Sequence, residues 1–324
     1  MFKAVRTAAA LALLSAAPAS AQTWPSRPLS MVVPFAAGSA LDTVSRILAA
    51  RLSEVLGQQV VIENVGGAGG MTGTSRVAKA EPDGYTFVIG GVDTFAINQT
   101  LYKKPLYNAA TDFEPVALMV EQPIVLIARN DLPANDMKGF IEYAKANKDK
   151  MQYGSAGLGS GSHLACARLN AAIGAETTHV PYRGSAQAFQ DMIAGRIDYF
   201  CALGAAAIGP LESKTVKAIA ILTKERSSLF PELASAHEQG LKDFDSYFWS
   251  ALFLPKGTPP DIVKKLHDAG VATLDTPSTQ ERLKKAGTTV VGPDRRSPAY
   301  LKTFVEKEVA QWATTIKASG VSLD

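Results

Sequence analysis

The feature that most constrains this chain is a repeated local order: a short apolar run, a glycine- or serine-bearing turn, then an amphipathic helix. Leu29-Ser30-Met31-Val32-Val33 reads as a buried strand that Pro34 ends. Residues 42–56 then place Val44, Leu48, Leu52 and Val55 on one helical face, and Gly57 suits the left-handed cap behind them. Val60 to Glu63 and Tyr85 to Ile89 are predicted as the next two strands. The same order returns after residue 120, with strands predicted at 123–128, 151–154, 179–182, 199–202 and 216–222 and helices at 137–147, 162–173 and 186–194. A strand near 248–254 and helices from Pro260 and Pro298 complete it. Strands that alternate with helices define an α/β fold. The chain has 324 residues, too many for one ordinary core and suited to two domains of roughly 100–150 residues each. No long polar linker separates the halves, so strands are expected to join them, a joint suited to hinge closure.

The N-terminus reads as an export signal. Lys3 and Arg6 precede an apolar run from Thr7 to Ala17, and Ala19-Ser20-Ala21 supplies the small residues of a cleavage site, leaving Gln22 as the expected mature start. That run is about 11 residues, short of the roughly 20 that span a bilayer. No lipobox cysteine follows, so a free periplasmic protein is expected. Removing Lys3 and Arg6 lowers the formal charge from +3 to +1. Without clustered Lys/Arg runs, that balance argues against nucleic acid as a partner.

Three turns between a strand and a helix carry polar groups suited to an anion: Phe35 to Ala40, Gly157 to Ser162, and Arg183 to Ser185. A helix N-terminus offers unpaired N–H groups and the positive end of its dipole, and small residues let an anion approach them. Ser39, Ser160, Ser162 and Ser185 add hydroxyl donors. Two such turns facing each other across a cleft could hold both ends of a dicarboxylate. Serine and glycine are equally at home as ordinary caps and turns. The glycines at 66, 67, 69, 70 and 73 satisfy neither G-x-G-x-x-G nor a P-loop, and read as a turn with positive φ.

Other chemistries find weak support. No G-x-S-x-G elbow is present, although Ser162 and His163 are adjacent and a distant Asp would make an exported serine hydrolase the alternative reading. His163, His179, His237 and His267 lack metal-ligand spacing, and no cofactor or metal is expected. Cys166 and Cys201 are either one disulfide in the second half or two buried thiols.

Several motifs, in order, resemble the Bug (TctC-like) extracytoplasmic solute receptors of tripartite tricarboxylate transporters. They are Val32-Val33-Pro34-Phe35 with Gly38, Asp42 and Arg46; Glu63-Asn64 with Gly67-Ala68-Gly69-Gly70; and Pro82-Asp83-Gly84-Tyr85. Asp112-Phe113 with Pro115-Val116, Ser162-His163-Leu164-Ala165, His179 to Ala186, Trp249, Pro255 and Gly257-Thr258-Pro259 continue the match. The resemblance implies a type II periplasmic-binding-protein fold, with two Rossmann-like lobes joined by a strand hinge. Residues 22–120 with 222–324 are expected to form one lobe and 121–221 the other, behind the signal segment 1–21. It further implies capture of a small carboxylate, with no catalytic activity, for transporter membrane subunits or a sensor kinase.

Carried over by position, the resemblance assigns the ligand to Phe35, Ala37, Ser39, Ala40 and Leu41 of the first turn. Gly91, Asp93 and Thr94 follow the third strand. The other lobe would supply Ala156, Gly159, Ser160, Ser162 and His163, then Tyr182, Ser185 and Cys201. Two departures from the family pattern stand out. The first turn reads Ala36-Ala37-Gly38-Ser39-Ala40 where the family usually has Pro-Pro-Gly-Gly-Gly, and Asp93 stands where glycine is common. Asp93 either selects an ammonium, amide or hydroxyl on the ligand, or points away into water or caps a turn. Asp42, in the first turn of its helix, is read as a complement to the helix dipole.

Overall fold

A computed structural model describes residues 24–182, 184–319 and 322–323. The signal segment expected over 1–21, the mature start at Gln22, and Arg183 lie outside these described residues.

The first lobe begins with β1 (Leu29–Val33), α1 (Ala40–Leu56), β2 (Val60–Asn64), α2 (Met71–Ala78) and β3 (Thr86–Gly91). β1 lies between β2 and β3, parallel to both. Such strands are covered on both faces and must be apolar throughout, and Met31, Val32 and Val33 are indeed wholly buried. A π-helical turn (Asp93–Ile97) runs directly into α3 (Asn98–Leu101).

β4 (Phe113–Ala128) is far longer than the strand predicted from Pro123. Residues 113–123 pair antiparallel with β9 (Tyr247–Pro255), and residues 124–128 pair with β7 (Tyr199–Leu203). One strand therefore serves both lobes and changes partner after Pro123. The second lobe adds α4 (Met137–Asn147), β5 (Gln152–Ser155), α5 (Gly161–Ile173), β6 (Thr178–Pro181), α6 (Ser185–Ile193), α7 (Gly204–Glu212) and β8 (Lys217–Ile221). There β7, β5 and β6 lie side by side in parallel, giving the overall order β2-β1-β3-β9-β4-β7-β5-β6. The chain returns through β9 to α8 (Pro260–Leu274), α9 (Pro277–Lys285), β10 (Thr289–Val290) and α10 (Pro298–Ser319).

Residues 222–246, expected with the first lobe, pack elsewhere. Leu222, Ala236 and Phe244 are buried in the core built on Phe140, Tyr153 and Leu169, and Ser246 N–H donates to Leu222 O at 2.6 Å. Cys166 and Cys201 form a disulfide that fastens α5 to β7. Among the described residues, no helix is long and apolar enough to cross a membrane.

Candidate ligand-binding site

The C-terminal ends of β1, β3, β5, β6 and β7 all open onto one cleft between the lobes. In open α/β sheets this is where ligands are held, because the following helices begin there. The cleft encloses a cavity of about 310 Å³.

Phe35, Ser39, Ala40 and Leu41 line it from the turn after β1. Ser39 caps α1, its Oγ accepting from Asp42 N–H at 3.2 Å. Asp42 does more than complement a dipole. Its carboxylate accepts from Gly38 N–H at 2.8 Å, from Arg46 Nε at 2.9 Å and from Asn64 Nδ2 at 2.9 Å. The same Asn64 amide also donates to Phe35 O at 3.1 Å. Burial alone would raise the Asp42 pKa, but the bonds from Arg46, Gly38 and Asn64 outweigh it and hold the group ionised. The turn is thus tied at Phe35 and at Gly38. Behind it, Gly70 has φ +89°, and a Cβ there would fall 2.7 Å from Thr94 and 3.1 Å from the Phe35 ring. The glycine run serves positive φ and close approach, as its spacing predicts.

The second lobe presents two helix starts. Ser160 caps α5, its Oγ accepting from His163 N–H at 3.4 Å. Ser162 Oγ accepts from Ala156 N–H at 2.9 Å and lies 3.2 Å from Ser160 Oγ. Ala156, Ser160, Ser162 and Ser185, the first residue of α6, all line the cavity.

The third element is Asp93. It lines the cavity together with Gly91, and no hydrogen bond or ion pair to its carboxyl is formed among the described residues. It is half-buried at the cavity wall, and that burial pushes its pKa up to about 7. Asp93 thus faces the cleft rather than the outer solvent.

Six expected residues do not line the cavity. Ala37 is exposed. Thr94 is wholly buried, its hydroxyl accepting from Gly91 N–H at 3.1 Å. Gly159 instead meets the first lobe: a Cβ there would lie 2.9 Å from Leu101. His163 is buried beneath the α5 turn, where Nδ1 accepts from Gly159 N–H at 3.0 Å and the ring stacks on His179 at 3.8 Å. Burial, with the neighbouring His179, lowers its pKa to about 4. Tyr182 directs its hydroxyl to Asp191 at 2.8 Å. Cys201 faces the opposite core in its disulfide; strand alternation puts its neighbour Phe200 on the cleft instead.

Sequence reading also missed contributors. Gln122 comes from β4, Phe248, Trp249 and Ser250 from β9, and Leu203 and Ala206 from the junction of β7 with α7. The first four come from the two strands that pair across the hinge, a placement that only non-local pairing sets. Gly161 also lines the cavity, and its nearest side chain is the Phe248 ring. The hydrolase reading finds no support in this arrangement: Ser162 bonds to Ala156 and Ser160, and the His163 Nδ1 is occupied by Gly159.

Two α/β lobes that enclose a cavity at their strand ends define a two-lobed solute-binding protein. The sequence matches the family described as tripartite tricarboxylate transporter family receptor over residues 44–321, and the chain belongs to that family. Similar solved structures include the periplasmic binding protein BugD, 40% identical, with a TM-score of 0.78 over 92% of this chain and 99% of that one. MatC of Rhodopseudomonas palustris, solved with bound malate, is 37% identical with a TM-score of 0.78 over 90% of this chain and 100% of its own. Another R. palustris protein, solved with adipate, is 34% identical with a TM-score of 0.81 over 92% and 99% of the two chains. The fold is the type II periplasmic-binding fold expected from the sequence.

Proposed function

We propose that this chain captures a small organic acid between its lobes in the periplasm and hands it, chemically unchanged, to membrane subunits of a transporter or to a sensor. The observation that carries this reading is the convergence of three helix starts, at Ser39, Ser160 and Ser185, on a single cavity. Backbone N–H groups and dipole ends on both sides of a cleft suit an anion with a carboxylate at each end. Small ligands occupy pockets from about 300 Å³ upward, and this cavity is near that lower bound. Relatives bound to malate and adipate point to the same class. A periplasmic location agrees with the signal-like first 21 residues, with the disulfide, and with the description of BugD. The lobes would then divide at residues 121–123 and 246–247, the two points where strands cross.

A thermal-shift screen of the mature chain against mono-, di- and tricarboxylates tests this. A ligand at 100 times its dissociation constant should stabilise the fold by about 2.7 kcal/mol. Dicarboxylates are expected to raise the melting temperature most. An uncharged ligand that binds more tightly than every acid would overturn the reading.

A further inference from the structure

We propose that Asp93 is the residue that determines specificity, and that it selects a ligand carrying an ammonium group beside its carboxylate. The inference rests on the organic-acid reading above and names the class of acid.

Asp93 is the only charged side chain among the described residues that line the cavity; its polar neighbours there are serines and Gln122. It opens the turn that follows β3, and β9 contributes Trp249 and Ser250 to the same cavity. Its carboxyl has no hydrogen-bond or ion-pair partner within the described protein. The nearby Thr94 hydroxyl is committed to the Gly91 backbone. The one described titratable group that interacts with Asp93 is Tyr107, which is itself buried and held neutral. A half-buried carboxylate without a partner is costly, and the cost is relieved by a proton or by an opposite charge.

The ligand can supply that charge. A plain dicarboxylate, held at both ends by the helix starts, would leave Asp93 without a partner. A hydroxy acid would offer one neutral hydrogen bond. An ammonium offers a charge-assisted bond and cancels the charge, while the ligand carboxylate remains free for the helix starts at Ser39, Ser160 and Ser185. The cavity therefore suits a zwitterion, with anion donors on the helix ends and one anionic acceptor at Asp93.

Matched acids that differ in one substituent test this: succinate, malate and aspartate, then glutarate, 2-hydroxyglutarate and glutamate, then propionate, lactate and alanine. Calorimetry at pH 8 should show, in at least one series, the amino member binding tenfold or more tightly than the unsubstituted acid. In Asp93→Asn the order should invert, with the unsubstituted acid gaining and the amino acid losing at least tenfold. Unsubstituted acids that bind wild type as tightly as their amino counterparts would overturn the assignment and leave the receptor reading standing. A preference for amino acids that survives Asp93→Asn would also overturn it. Binding of none of the nine acids to wild type would sink this inference alone, since the organic-acid reading also covers the tricarboxylates of the thermal-shift screen.

Discussion

Trp249 Nε1 donates to Glu308 Oε2 at 2.8 Å, and Trp312 Nε1 reaches the same oxygen at 3.4 Å. This joins β9, where Trp249 meets the ligand cavity, to α10 behind it. Glu308 is buried, and burial raises its pKa against the opposing pull of the two indoles and of Arg168. Glu308→Ala would leave two buried N–H groups unpaired, at roughly 1–3 kcal/mol each. Urea denaturation should show a loss of about 2–6 kcal/mol for Glu308→Ala. Glu308→Gln keeps an acceptor oxygen and should lose less than half as much. Equal losses in the two variants would mean that the side chain acts by filling space rather than by accepting.

Asp93 should imprint a pH dependence on the ligand-free protein. Its folded pKa is raised from 3.8 to about 7, so between these values the folded state holds a proton that the unfolded state has released. Stability from this group is then fully present below about pH 4 and declines as pH rises to about 7, by at most about 1.4 kcal/mol per unit. Asp93→Asn lacks this term. The stability of the variant relative to wild type should climb between pH 4.5 and 7 and level off above. Denaturation at pH 4.5 and 7.5 that gave the same difference would show Asp93 to be ionised throughout.

The disulfide should matter to the second lobe as a whole. Cys166 and Cys201 are 35 residues apart in sequence, and closing a loop of that size restricts the unfolded chain by about 3–4 kcal/mol. Cys166→Ser with Cys201→Ser should unfold at correspondingly lower denaturant, and a thiol reductant should lower the wild-type midpoint but not that of the variant. A reductant effect on the double variant would show that the reagent acts elsewhere.

How much of this was legible beforehand depended on whether the signal was local. The helix Met137–Asn147 falls where its periodicity puts it, because Asp136 caps it and accepts from Gly139 N–H at 2.7 Å. The helix starts at Ser39 and Ser160 likewise announce themselves as serine followed by an apolar period. The first half of β4 does not: Glu114 and Pro115 break its pattern, and pairing with β9 about 135 residues away imposes the strand. α7 carries an internal Pro210 and α2 follows a glycine run, so neither advertises a helix. At the cavity, Cys201 and Phe200 differ by one position, and only the pairing of β7 with β4 decides which faces the cleft. Asp42 stands in its first helical turn as its position implies, but the bond it accepts from Asn64, across 22 residues, is tertiary.

Gly161 and Phe248 give a test of how the hinge strand shapes the cavity. Gly161 is the first residue of α5, and a Cβ there would lie 1.5 Å from Cζ of the Phe248 ring. The requirement is for space, since the residue is not among the glycines with positive φ. Phe248 packs against the cores of both lobes and also lines the cavity. Gly161→Ala favours the helix itself by up to about 1 kcal/mol but must displace the ring, and the cavity is the open side. Ligand affinity, measured by calorimetry with the tightest acid of the screen, should fall tenfold or more. Phe248→Leu on that background should recover most of the loss, because the shorter side chain leaves room for the methyl group. A double-mutant cycle should therefore give a coupling above 1 kcal/mol. Losses that simply add would place the effect of Gly161 in the backbone of α5 and not in its contact with β9.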